Sequence, residues 1–194
     1  MKKVLFVALA SAAGFALLFA QGAPPAGAAK KGPAGPGMTL TSTAFADGAE
    51  IPTKYTQADP MAVSPKLDWI NVPEGVQSFV LHFHDPDVAI GGNNEDVLHW
   101  MAFNIPGDAR SLAEGMSTAA TLPDGTIQIK SRRGTPGFMG PGAPAPGPHH
   151  HYTFELFALD SKLALTADAS RDDVLKAING HIRAKAVLVG RFHR

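Results

Sequence analysis

Alternating apolar and polar positions mark several segments of the chain as β-strands. Within residues 77–84 two sets of side chains alternate, and each set is expected on its own face of an extended strand. The first set is Phe79, Leu81 and Phe83, and the second is Val80, His82 and His84. Further strands are predicted over residues 126–130, 152–159 and 185–192.

Residues 97–105 are apolar at nearly every position. Such a strand is expected inside a sheet that is covered on both faces. Regular alternation predicts one set formed by Val97, His99, Met101, Phe103 and Ile105, and another formed by Leu98, Trp100 and Ala102.

One helix is predicted after Ser170, which is a favoured N-cap residue. Asp172 and Asp173 suit the positive end of the helix dipole. A single helical face would carry Val174, Ile178 and Ile182, and Gly180 would end or loosen the helix. The fold class is therefore mostly β with a small helical share.

The N-terminus has the pattern of a secretory signal peptide. Lys2 and Lys3 precede an uncharged apolar run over residues 4–20, and small residues up to Ala28 follow. The alternative is a retained membrane anchor, but the run is slightly short of the roughly 20 residues that span a bilayer. We therefore predict a signal peptide over residues 1–28, export to the periplasm or beyond the cell, and no stable membrane anchoring after cleavage.

Two stretches are rich in glycine and proline. Residues 29–37 are predicted to be a linker that leads into one domain over residues 38–194. Residues 134–148 could be an interdomain linker, but the segment after them is too short for a comfortable core of its own. This stretch also contains Phe138 and Met139, so we predict an ordered, functional loop within one domain.

Composition excludes several classes of function. Seventeen Lys and Arg balance seventeen Asp and Glu, so the chain lacks the basic excess that is typical of nucleic-acid-binding proteins. There is no cysteine, which removes disulfides, thiolate metal sites and cysteine nucleophiles. The common serine-hydrolase, zinc-protease and nucleotide-binding motifs are also missing from the sequence. We predict no nucleic-acid partner and no cofactor.

Three segments contain residues that could form a functional site, and each also has an ordinary structural explanation. Asp85 and Asp87 flank a proline after a strand, where they could form a plain turn. His99 lies in the most apolar strand and could be a satisfied core residue. In the run of three histidines before Tyr152, His150 shares a strand face with Tyr152, although such a run could also bind metal adventitiously.

Together these groups could bind a small anion. Imidazoles donate to phosphate near neutral pH, and the backbone of a glycine-rich loop can approach closely. The carboxylates would orient the histidines or receive an ammonium group. The alternative is a metal-dependent hydrolase or a metal-binding module that uses His99, His150, Asp85 and Asp87.

An ordered set of short motifs then resembles a known family, the phosphatidylethanolamine-binding proteins, and in particular their bacterial Raf-kinase-inhibitor-like branch. The match extends from about Met38 to the C-terminus. Its motifs are residues 64–69 (SPKLDW), 72–75 (VPEG), 85–87 (DPD), 99–100 (HW), 104–106 (NIP), 137–141 (GFMGP), 150–152 (HHY), 154–160 (FELFALD) and 181–186 (HIRAKA).

The resemblance implies a β fold with a large central antiparallel sheet, a smaller second sheet and a few peripheral helices. It implies a non-enzymatic protein with a pocket for phosphate or phosphoethanolamine-like groups, and an inhibitory action on a partner such as a kinase or protease. The pocket positions that correspond here are Asp85, Asp87, His99, Gly140, Pro141, His150 and Tyr152.

This sequence departs from the family pattern in three places. Ala89 stands where the family has a proline. Gly142 and Ala143 stand where the family has a cysteine followed by a proline. The usual His-Arg-Tyr is replaced by two histidines before Tyr152, preceded by the additional His149. Strand alternation from Tyr152 selects His150 as the pocket histidine, whereas counting from Pro148 selects His149.

Overall fold

A computed structural model describes residues 36–194, except residues 91 and 93. The predicted signal peptide, residues 1–28, lies outside the described residues. The predicted linker, residues 29–37, lies outside them too, apart from Pro36 and Gly37. Within the described part of the chain, no helix is long and apolar enough to cross a membrane.

Eight strands, one short α-helix and one 3₁₀ turn make up the described fold. The strands are β1 (Thr39–Thr41), β2 (Leu67–Ile70), β3 (Ser78–Ile90), β4 (Glu95–Pro106), β5 (Ser111–Leu112), β6 (Ile127–Gln128), β7 (His150–Leu159) and β8 (Ile182–Phe192). The 3₁₀ turn is Thr53–Tyr55, and the helix α1 is Arg171–Ala177.

The strands form a large and a small antiparallel sheet, as predicted. The large sheet has five strands in the order β6-β4-β3-β7-β8, and the small sheet has the order β1-β2-β5. The glycine- and proline-rich segment 134–148 leads into β7, which pairs with β3. Because strands before and after this segment share one sheet, it is a loop within the sheet domain.

The large sheet is covered on both faces. On one face Phe79, Leu81 and Phe83 join a core with residues of the small sheet, and Trp69 meets Phe79 edge-on at 5.2 Å. The opposite face forms a second core, in which Val80 packs with Val174 of α1. This two-sided burial explains why β4 is apolar at nearly every position.

Regular alternation along β4 was the wrong prediction, because the strand contains two bulges. One step on β3, from Phe83 to His84, is matched by two steps on β4, from Trp100 to Leu98. The extra residue is His99, whose ring contacts Phe83 on the same side of the sheet as Trp100. A second irregularity surrounds Asn104, whose φ is 56°.

The helix forms where it was predicted. The Ser170 hydroxyl accepts from the Asp173 amide at 3.1 Å, and the Asp173 carboxylate accepts from the Ser170 amide at 3.0 Å. Val174 and Ile178 are buried. Ile182 does not share their helical face, because the chain turns at Gly180 (φ +84°) and Ile182 begins β8.

Candidate functional site: a cavity at the Asp-Pro-Asp corner

The Asp-Pro-Asp segment is a corner within β3 and does not end the strand. Strand β3 continues to Ile90, beyond the end predicted at His84. Its pairing with β4 is interrupted between Asp85 and Ile90, where five steps on β3 oppose two steps on β4. The extra residues loop out of the ladder at this end of the sheet, beside the start of β7.

A cavity of about 340 Å³ lies at this corner. Its volume falls within the range of about 300–1,000 Å³ that is typical of small-molecule sites. Its polar lining consists of Gln57, Asp85, His99, Arg132, Arg133, His150 and Tyr152, and its apolar lining includes Val88, Val97, Met139, Ala143 and Pro144.

The buried Asp85 and the partly buried His150 form a pair in the cavity wall. The Asp85 side chain is 4% exposed, and its Oδ2 accepts a hydrogen bond from His150 Nδ1 at 2.8 Å. Asp85 Oδ1 accepts from the Asp87 amide at 3.0 Å, which fixes the carboxylate at the corner. Because His150 Nδ1 faces Asp85, Nε2 is the ring nitrogen left for a ligand.

His99 is held by the loop between β6 and β7. Its Nδ1 donates to the Met139 carbonyl at 2.9 Å, and its own carbonyl accepts from the Met139 amide at 3.0 Å. Burial lowers the pKa of His99 below its usual value, so the neutral imidazole is favoured near pH 7. With Nδ1 donating to a carbonyl, only the protonated ring can offer an N–H to an anion.

Tyr152 anchors the loop to the sheet. Its side chain is fully buried, and its hydroxyl accepts hydrogen bonds from the amides of Gly142 at 3.1 Å and Ala143 at 2.9 Å. Burial raises the pKa of Tyr152 to about 12, so the hydroxyl stays protonated. These contacts make Tyr152 a support for the cavity wall.

The glycines of this loop permit a close approach to Gln57. The Gln57 side-chain amide donates to the Gly140 carbonyl at 2.8 Å, and its backbone amide donates to the Pro141 carbonyl at the same distance. A Cβ on Gly142 would lie 2.4 Å from Gln57 Nε2, and one on Gly140 would lie 2.7 Å from the Tyr55 carbonyl. Glycine at these positions therefore lets the loop pack against the segment after the 3₁₀ turn.

Three residues predicted from the family pattern lie outside the cavity lining. Gly140 and Pro141 act through their contacts with Gln57, and the lining begins at Gly142. Asp87 is exposed, and its carboxylate accepts from the backbone amide and the ring of His151, at 2.5 and 3.0 Å. These contacts lower the pKa of Asp87, although partial burial opposes the change.

The histidine run divides between three environments. His150 lines the cavity, and His151 pairs with Asp87 on the surface. His149 packs edge-on against His193, with ring centroids 4.0 Å apart. Of the two histidines between which the sequence left a choice, the structure places His150 at the cavity.

Arg132 and Arg133 line the cavity and were not selected from the sequence. Both are exposed, and neither guanidinium pairs with a carboxylate among the described residues. The Arg132 amide donates to the Leu98 carbonyl at 2.9 Å, which brings the pair beside β4. The available signal was the adjacent Arg-Arg pair just before the glycine- and proline-rich loop.

A larger cavity, of about 590 Å³, lies between β4 and α1. Its lining includes Asp96, Lys130, Arg132 and Arg171 but none of the residues predicted from the family pattern. The smaller cavity is the stronger candidate site, because the Asp85–His150 pair and the buried His99 converge there.

The comparisons with known proteins agree with the fold and the motif order. The family model described as "Phosphatidylethanolamine-binding protein" matches residues 41–193. The chain belongs to the phosphatidylethanolamine-binding protein family. A UPF0098 protein of Methanothermobacter thermautotrophicus is 40% identical over 157 residues, which cover 81% of this chain and 99% of that protein. The UPF0098 protein YbhB of Escherichia coli is 32% identical over 154 residues, covering 77% of this chain and 94% of its own.

Solved structures of the family have the same fold. YbcL of Escherichia coli, described as a new member of the mammalian family, superposes with a TM-score of 0.72 at 28% identity. A family homologue from Chlamydia trachomatis gives a TM-score of 0.71 at 32% identity. Each covers 81% of this chain, and the match covers 98% of each structure. Membership in the phosphatidylethanolamine-binding protein family supports the interpretation of this chain as a binding protein.

Proposed function

We propose that this protein binds a small oxyanion, such as phosphate or a phosphoethanolamine-like head group, and does not catalyse a reaction. The anion occupies the 340 Å³ cavity and is attached to a larger molecule. The observation that supports this proposal is the convergence on one cavity of the Asp85–His150 pair, His99 and two arginines that pair with no carboxylate in the described part of the chain.

The donors divide into permanent and conditional ones. Arg132 and Arg133 stay charged at all physiological pH values and can each form charge-assisted hydrogen bonds with an anion. His99 offers an N–H to the cavity only when its ring is protonated. Asp85 supplies negative charge in the same wall, which suits the ammonium group of a zwitterionic head group.

Anion affinity should rise as pH falls from 8.5 to 5.5. The pKa of His99 is lowered by burial, so its charged form gains population only below its usual value of about 6.5. An anion that prefers the charged ring therefore binds more tightly on the acid side. Isothermal calorimetry with phosphate, phosphoethanolamine and sulfate checks this trend.

Sulfate is the decisive probe, because its charge is constant over this range, whereas inorganic phosphate and phosphate monoesters both change charge within it. A double Arg132→Ala, Arg133→Ala variant should bind each anion more weakly at every pH but keep the pH trend. Affinity for sulfate that ignores pH would contradict the role of His99, and binding unaffected by the double arginine change would contradict the cavity.

We also propose that the protein acts outside the cytoplasm and modulates a partner protein there, such as a kinase or protease. The basic start, the apolar run and the small residues before Ala28 support export. Cell fractionation with mass measurement of the recovered chain tests it. Recovery of the full-length chain from the cytoplasmic fraction alone would contradict export.

A further inference from the structure

His82, His84 and Glu155 lie together on the face of the large sheet opposite the cavity. The two histidines are two residues apart on β3, and their rings stack with centroids 4.2 Å apart. Glu155 is directly opposite His82 in the register of β3 and β7. Side-chain exposure is 3% for His82, 13% for His84 and 18% for Glu155.

The potential ligand atoms of this cluster lie close together, and because the two rings stack nearly parallel, one ring must turn before both nitrogens face a single ion. Glu155 Oε2 lies 2.9 Å from His82 Nδ1 and 3.6 Å from His84 Nε2. Ligands around a tetrahedral zinc ion are about 3.3 Å apart, given bond lengths of about 2.0–2.2 Å. Among the described residues, these three form the one such group whose ligand atoms all lie within 4.8 Å of one another. The set suggested from the sequence, His99, His150, Asp85 and Asp87, does not form such a group.

Two buried ring nitrogens in the cluster have no hydrogen-bond partner. They are His82 Nε2 and His84 Nε2. A buried polar atom without a partner is costly, and native proteins rarely leave one without a water, an ion or a function. His82 faces Glu155 through Nδ1, whereas His84 faces it through Nε2, so the unpartnered His84 Nε2 is the nitrogen that points to a ligand at this cluster.

Hydrogen bonds from neighbouring residues determine which atoms of the cluster are left to bind a metal ion. His84 Nδ1 donates to Asp96 Oδ2 at 2.5 Å, which leaves Nε2 as the metal-binding atom, as in carboxylate–histidine–metal arrangements. Arg171 binds the other oxygen of Asp96, and Lys185 binds Glu155 Oε1.

We propose that His82, His84 and Glu155 form a site for a divalent first-row transition ion such as Zn²⁺, with Asp96 orienting His84. Two imidazoles and one carboxylate suit Zn²⁺ and Co²⁺ better than Mg²⁺ or Ca²⁺, which prefer oxygen ligands. Asp96 and Arg171 also line the 590 Å³ cavity beside α1.

The competing account is a buried polar network without metal. In that account His82 pairs with Glu155 at 2.9 Å and His84 pairs with Asp96 at 2.5 Å, and Lys185 and Arg171 balance the two carboxylates. It leaves His84 Nε2 without a partner.

The test uses the full chain without an affinity tag, stripped with a chelator and then titrated with Zn²⁺ and Co²⁺. We expect one tightly bound ion per chain, and Co²⁺ absorption bands typical of nitrogen and oxygen ligands. Glu155→Gln and His84→Gln should each weaken Zn²⁺ binding by at least about 100-fold. Asp96→Asn should weaken it by about 10–100-fold, the usual cost of losing an orienting partner.

Two controls separate this site from adventitious binding. His181→Ala removes another histidine that pairs with a carboxylate, Asp160, on the surface, and should leave affinity unchanged. The double variant His149→Ala, His151→Ala removes two surface histidines of the run and should also leave the tight ion in place. Circular dichroism verifies that each variant is folded. If the Glu155 or His84 variant does not fold, the Zn²⁺ affinity of the Asp96→Asn variant decides the outcome. The proposal is overturned if no stoichiometric ion binds, or if Asp96→Asn and Glu155→Gln retain wild-type affinity.

Discussion

Replacing Phe83 with alanine should lower the free energy of unfolding by about 3–5 kcal/mol, the usual cost of deleting a fully buried aromatic side chain. Phe83 stacks on Phe154 at 3.7 Å and on Phe138 of the loop at 5.6 Å, and it also contacts His99 and Tyr152. The change leaves a cavity beneath the candidate site. Urea denaturation measures the loss.

Met61→Ala is the control for this change, because Met61 is also a large apolar residue but is 79% exposed. It should alter stability by no more than about 0.5 kcal/mol. A loss below about 1 kcal/mol for Phe83→Ala would mean that the aromatic cluster is not packed as described.

The double change His99→Ala, His150→Ala should reduce anion affinity about 100-fold or more at pH 5.5. Both rings line the cavity, and a hydrogen bond to a charged group is worth about 1.5–3 kcal/mol. Calorimetry with sulfate and phosphoethanolamine at pH 5.5 and 8.5 measures the difference. The loss should be smaller at pH 8.5, where the arginines supply most of the attraction.

His181→Ala is the matched control, since His181 Nδ1 bonds the Asp160 carboxylate at 2.9 Å as His150 bonds Asp85, but on the surface. Its affinity for anions should equal that of the unchanged protein. If the double variant also binds normally at pH 5.5, the two cavity histidines do not take part in binding.

Local sequence patterns predicted the strands of the large sheet and the helix start, and the family resemblance implied the two sheets and four of the residues that line the cavity. Asp85, His99, His150 and Tyr152 were selected because they lie in strands or at strand ends within ordered motifs. Their convergence depends on β3 pairing with both β4 and β7, which no local pattern reveals. The family resemblance supplied that information.

The contacts that the sequence did not predict all depend on how distant segments of the chain pair in the folded structure. The bulge places His99 on the same side as Trp100, against strict alternation. Arg132 reaches the cavity through a backbone contact with Leu98, more than thirty positions earlier in the chain. Asp87 turns toward His151 because the corner loops out of the ladder.

The cluster on the opposite sheet face shows the same limit. Alternation placed His82 and His84 on one face of β3, as the structure has them. Glu155 joins them only because β7 pairs with β3, and Asp96 joins them only because β4 runs antiparallel beside β3. Neighbouring residues, His84 and Asp85, thus belong to different sites on opposite faces of one sheet.

The most direct test is a crystal structure of the protein soaked with phosphoethanolamine. The account predicts an anion in the 340 Å³ cavity, with oxygens about 2.7–3.2 Å from His150 Nε2 and from a guanidinium of Arg132 or Arg133. A head group bound instead beside Lys130 and Arg171 in the larger cavity, or an empty smaller cavity at saturating ligand, would contradict it.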